Sequence, residues 1–153
     1  MESADGGSYY WLDPVNGKTI AKNILAELIR VDPKGEPYFT KNYRTFCRRL
    51  DSGMLRWTEE LAPYRGAKIA ALDGDWSYFA GRFQLVFVGD ARTQPDAKLV
   101  LAATSKLKRM SPMPGETEGR LVVAPISVGE VKGAGDYFTL CEHLVHIVAE
   151  KLK

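Results

Sequence analysis

The sequence predicts an α/β fold: a mostly parallel sheet of about three strands with flanking helices, preceded by two helices of which the second is long. Three observations carry this reading. Apolar residues recur at helical spacing from Pro14 as far as Leu61. After Pro63 short continuous apolar runs take over, as expected for strands buried on both faces rather than strands with one wet face. Those runs alternate with helix-like segments, which is the pattern of βαβ layering.

The first helix is announced by "WLDP". Asp13 is suited to cap a helix N-terminus, and Pro14 suits the first helical position. Ile20, Ile24, Leu25, Leu28 and Ile29 then form one apolar side, until "VDPKGEP" breaks the pattern. A second helix is predicted from about Tyr38 to Leu61, with Tyr43, Phe46, Leu50, Leu55 and Trp57 as its apolar side and Gly53 as a weak point. A helix of that length is long for a compact domain. It would brace two lobes or lie along a surface.

Beyond Pro63, "AKIAAL" reads as a buried strand, "DWSYFAGRF" as a turn or two of helix, and "QLVFVG" as a second strand. "QPDAKLVLAATSKLKRM" reads as a helix beginning near Pro95 or Asp96. "SPMPGETEG" is loop chemistry, "RLVVAPISVG" a third strand, and "GDYFTLCEHLVHIVAEKLK" a closing amphipathic helix capped by Asp136.

Composition limits the function classes. Hydrophobic residues make up 45% and charged residues 26%, which is globular rather than disordered. With 21 basic and 19 acidic residues the net charge is +2, too balanced to indicate nucleic acid. Arg44, Arg48 and Arg49 are followed by Asp51 and read as a solvated helix face. No apolar run reaches a membrane span of about 18 residues, and the opening "MESADGGSYYWLDP" lacks the basic and apolar regions of a signal peptide. Cys47 and Cys141 could form one disulfide or remain two thiols.

No nucleophile elbow, phosphate loop or dinucleotide fingerprint is present, so an enzyme is not expected. Asp73 and Asp75 flank Gly74 directly after the "KIAAL" strand, where ligands sit in open α/β sheets. They could cap the next helix or ligate a hard cation. His143 and His146 share a face at i, i+3 of the closing helix without a visible third ligand, and read as a surface pair. Tyr9, Tyr10 and Trp11 read as packing before the first helix, or as a platform for a sugar or peptide.

Taken together, "SYYWLDP", "LAPYRGAKIAAL", "DGDWSYFAGRF" and "VVAPISVGEVKGAGDYFTLCEHLV" resemble stretches of the solute-binding proteins of zinc and manganese ABC importers. The resemblance covers most of residues 8–153 and is strong in three separated places. It implies a receptor that holds a metal ion between two lobes and delivers it to an ABC permease, in the periplasm or at the cell surface. On that reading residues 1–36 are a remnant of the N-terminal lobe, 37–63 a connector helix, and 64–153 the C-terminal lobe.

The departures bear on the metal, zinc or manganese. The family's histidine of "P-H-x-W-L-D-P" falls on Tyr9, and a neutral phenol is a poor ligand beside imidazole. A second family ligand position falls on Asp73, where a carboxylate suits a hard cation; Asp75 is a weaker candidate nearby. A further acid position falls near Ile126. Metal binding is therefore expected to be weakened. A strand and helix of the family also have no counterpart before "RLVV", so the sheet is expected to lack a strand and to expose an apolar edge. That edge could support a homo-oligomer. The other reading is a protein-interaction module that reuses the lobe without metal.

Overall fold

The computed structural model describes residues 9–105 and 119–153. A single 3-10 turn over Tyr10–Leu12 leads into α1, Pro14–Val31. Its start follows the sequence: the Asp13 carboxylate accepts the Val15 N–H at 2.9 Å, and Pro14 takes the position whose missing N–H costs nothing. α2 spans Glu36–Leu61 and opens two residues before the predicted start, with Pro37 in its first turn. Gly53 does not break it. The six-membered ring of Trp57 lies against that glycine, and a Cβ there would overlap the ring.

The sheet has four parallel strands: β1 Lys68–Ala71, β2 Val86–Asp90, β3 Leu99–Ala103 and β4 Leu121–Ala124, in the order β2-β1-β3-β4. β1, β2 and β4 are the three predicted strands. β3 corrects the sequence reading, which gave this stretch to a helix. Leu99 to Ala103 is a run of five apolar residues without a period, so spacing alone cannot separate buried helix from buried strand. The run lies between β1 and β4, with Ile69 opposite Leu99 and Val100 opposite Leu121. All five residues are buried. The sheet therefore has four strands where about three were expected. The predicted loop "SPMPGETEG" falls outside the described residues except for Gly119.

One sheet face packs under the helices. Leu50, Trp57 and Leu61 of α2 meet Ile69, Leu99 and Leu101 there, joined by the closing helix α4, Tyr137–Leu152. The opposite face is rich in small residues, with Ala70, Ala91, Ala97 and Ala102 beside Leu72 and Val100. α4 opens on a full capping box: the Asp136 carboxylate accepts the Thr139 N–H at 2.8 Å, and the Thr139 hydroxyl accepts the Asp136 N–H at 2.9 Å. The short helix α3, Ser77–Arg82, crosses between β1 and β2.

Cys47 and Cys141 are two separate thiols, half-buried on α2 and buried on α4. Among the described residues no helix is long and apolar enough to cross a membrane.

Candidate functional site

Tyr9, Asp73 and Asp75 come together at the carboxyl end of the sheet. Asp73 follows β1 and is half-buried. Both of its carboxylate oxygens lie within reach of the Ala103 N–H, at 3.0 and 3.2 Å. The last backbone rung between β1 and β3 is Leu72 N–H to Leu101 O at 2.9 Å. The Asp73 side chain thus extends that ladder by one acceptor and ties the two strand ends. Its backbone carbonyl accepts the Trp76 indole N–H at 3.1 Å.

Asp75 serves the local chain. Its carboxylate accepts the Ser77 N–H at 2.8 Å at the start of α3, and its carbonyl accepts the Tyr9 N–H at 3.3 Å. Gly74, between the two acids, has φ +62°, the left-handed region that glycine enters without steric cost. The Tyr9 ring lies directly on it, where a Cβ would overlap ring carbons Cε2 and Cζ. Tyr9 is only 3% exposed. Its ring meets Trp76 edge-on at 5.3 Å and Trp11 at 5.6 Å. The three candidate residues therefore form one locus, in which two carboxylates flank a glycine roofed by a tyrosine.

Trp11 carries this roof across to β4. Its indole N–H donates to Ile126 O at 2.7 Å, and its carbonyl accepts the Tyr137 hydroxyl at 2.6 Å. Ile126 is buried, and its N–H donates to Glu130 at 2.9 Å. The carboxylate nearest the end of β4 is thus held by backbone four residues on from the position the sequence singled out. Tyr137 and Cys141 sit in the same layer. Burial pushes the Cys141 thiol up to about 12 and raises the Tyr137 phenol as well.

One contact at this end escaped sequence reasoning. Asp13, read only as a helix cap, also takes Arg82 in a two-pronged pair, Nε to Oδ1 at 2.6 Å and Nη2 to Oδ2 at 2.9 Å. The pair pins the start of α1 to α3, and the Asp13 hydrogen bond raises the Arg82 pKa. A buried-type acid 69 residues from an arginine carries no local signal.

The histidines lie elsewhere. His146 is exposed on α4, with Nδ1 3.2 Å from Glu60 Oε1, and His143 is half-buried. Among the described residues no group of three or more His, Cys, Asp or Glu side chains is placed to hold a metal ion. The locus offers one half-buried carboxylate with lone pairs to spare, beside a phenol and an acid engaged by backbone.

Comparison with known proteins gives a consistent picture. The model of a family described as zinc-uptake complex component A, periplasmic, matches residues 4–111, more than half of the chain. The high-affinity zinc uptake system protein ZnuA of Brucella abortus is 28% identical over 88 residues, which is 58% of this chain and 26% of that protein. The metal ABC transporter substrate-binding lipoprotein SloC of Streptococcus mutans is 26% identical over 105 residues, covering 65% of this chain and 34% of the relative. Among solved structures, a mutant of the laminin-binding adhesin Lmb from Streptococcus agalactiae superposes with TM-score 0.74 at 20% identity, over 95% of this chain and 62% of that one. A zinc-bound AdcAII variant of Streptococcus pneumoniae gives TM-score 0.71 at 19% identity, over 95% and 61%. These superpositions show the same α/β fold. The chain spans about a quarter to a third of the length of the two curated relatives and somewhat under two thirds of the two solved chains.

Proposed function

The chain belongs to the family of periplasmic zinc-uptake component A proteins, and from that membership we propose that it acts as a solute-binding component of a zinc- or manganese-type ABC importer in which metal binding is weakened. Its location is the periplasm or the cell surface, and its partner is an ABC permease. Residues 1–36 correspond to the end of an N-terminal lobe, 37–63 to a connector helix and 64–153 to a C-terminal lobe. The metal is the cargo, and it sits against Asp73 at the carboxyl end of the sheet.

The observation that supports weakened binding is the engagement of the locus with its own fold. Asp73 already accepts the Ala103 N–H. Asp75 is taken by Ser77. The position of the family's histidine is the Tyr9 ring, buried on Gly74. Tight transport sites use three or four good ligands, and a phenol is not one of them for zinc.

Thermal unfolding with added metal tests this reading. At about 1 mM zinc or manganese, a dissociation constant of roughly 10–100 μM adds about 1.4–2.7 kcal/mol of stability, a rise of several degrees in Tm. Asp73→Ala should lose that rise. No rise with either ion would overturn metal carriage by this chain.

A second reading, an interaction module without metal, is favoured by a separate observation. α1 leaves Ile24, Leu28 and Val31 substantially exposed, at 54%, 42% and 73%. An amphipathic helix with its apolar side in water is a surface that calls for a partner. A homo-oligomer through a sheet edge belongs to the same reading. The strands at the two edges are β2 and β4.

A further inference from the structure

A cleft of about 450 Å³ lies between α2 and the first turns of α4, within the range of small-molecule sites. Thr45, Arg49, Ser52 and Arg56 line it from α2 at i, i+4, i+7 and i+11, so one helix face supplies two guanidiniums and two hydroxyls. Arg48 reaches the same cleft from the flank, where its Nη2 donates to Thr45 Oγ1 at 3.3 Å. Phe138 and Glu142 line it from α4. From the sequence, Arg48 and Arg49 read as a solvated helix face; the fold sets α4 opposite them.

The arginines of this cleft are under-used. Each guanidinium carries a planar fork of N–H donors. Among the described residues the three spend one donor on the Thr45 hydroxyl and one on the Ser52 carbonyl, at 3.2 Å, and none in a hydrogen bond to a carboxylate. Arg49 to Asp136 and Arg56 to Glu142 are ion pairs at 3.7 Å, beyond hydrogen-bond distance. Asp136 is already committed to the Thr139 N–H in the capping box. Arg48 has no acid partner among the described residues. Arg49 is held in place instead by Phe138, with its guanidinium 3.9 Å from the ring centroid. The buried Trp57 lines the cleft as well, and its indole N–H has no acceptor among the described residues.

Three guanidiniums and Glu142 leave the lining at +2, or +1 with Asp136 counted. Forked donors from several directions suit a tetrahedral oxyanion, and a dianion balances that charge. The adjoining cleft that holds Lys41 and Arg44 is lined by residues 36–48 alone and has no second wall. We propose that the cleft between α2 and α4 binds a phosphate dianion, held by Arg48, Arg49 and Arg56 with the Ser52 hydroxyl. The positive end of α4 favours the same charge. The site lies apart from Asp73, and the inference does not depend on whether the chain carries metal.

The test is calorimetric titration of the full chain at about pH 8, where phosphate is a dianion, and at a fixed ionic strength of about 0.1 M. Inorganic phosphate should bind one to one with a dissociation constant below about 1 mM, and acetate at the same ionic strength should not compete. Arg49→Gln and Arg56→Gln should each weaken binding at least about tenfold, the loss expected when a charged hydrogen-bond partner is removed. Glu142→Gln should tighten it, because the acid that competes for Arg56 is gone. Arg44→Gln, which removes an exposed cation outside the cleft, should leave it unchanged. All four positions are exposed, and circular dichroism and Tm should match the wild type. Phenyl phosphate separates the two sources of the anion. Tighter binding of the ester supports an organic phosphate as the ligand, and tighter binding of inorganic phosphate supports the free ion. No saturable binding of either up to about 10 mM overturns the proposal. So does equal weakening by Arg44→Gln and Arg49→Gln, which would reduce the effect to diffuse positive charge.

Discussion

Asp13 and Arg82 meet through two parallel hydrogen bonds, 2.6 and 2.9 Å, while the same Asp13 oxygen Oδ1 also accepts the Val15 N–H that opens α1. One side chain thereby fixes a helix start and fastens it to the short helix beside β1.

Removing either partner leaves the other partly buried charge uncompensated. Arg82→Ala should cost about 2–3 kcal/mol, below the range for fully buried pairs because the arginine is a third exposed. Arg82→Lys should recover only part of this, since a point charge cannot reproduce the fork. Asp13→Ala should cost more than Asp13→Asn, which keeps a cap for Val15. Urea unfolding of the four variants checks the order, and Asp13→Ala matching Asp13→Asn would show that the cap adds nothing.

At Gly74 two penalties coincide. Alanine there meets both the positive φ and the Tyr9 ring. Gly74→Ala should cost about 2–3 kcal/mol or more. In a Tyr9→Ala background the ring overlap is gone, and the same substitution should cost about 1 kcal/mol. Additive losses in a double-mutant cycle would mean that Tyr9 does not rest on the turn.

The alkaline limb of stability should reflect Cys141. Folded, its thiol holds a proton to about 12, whereas the ordinary value is 9.0. Above pH 9 the unfolded chain therefore binds fewer protons than the folded one, and stability falls as pH rises. Tyr137, raised in the same direction by burial, adds to the fall at higher pH. Cys141→Ala should flatten the first part of this limb in a series of unfolding curves from pH 8 to pH 11. A slope unchanged in the variant would remove Cys141 as its source.

Much of this architecture is legible in the chain because local chemistry agrees with the fold. Asp13-Pro14 and the Asp136–Thr139 capping box mark two helix starts, and the spacing of the α1 apolar stripe marks a helix. β3 was misread because Leu99 to Ala103 is apolar throughout, and only its neighbours β1 and β4 decide that it extends. Asp73 was legible as an acid at a strand end. Its hydrogen bond to Ala103, thirty residues away, depends on the strand that the sequence concealed. The exposure of Ile24 and Leu28 on α1 was not legible, since their spacing is the same whether that side is covered or bare.

Calorimetric titration of zinc into the wild-type chain tests the central claim, a family fold with a weakened metal locus, most directly. The account predicts a dissociation constant weaker than about 10⁻⁶ M, less than about 8 kcal/mol of binding free energy, with the residual heat lost in Asp73→Ala. One-to-one binding tighter than about 10⁻⁶ M would contradict it, because one half-engaged carboxylate beside a phenol cannot supply that affinity.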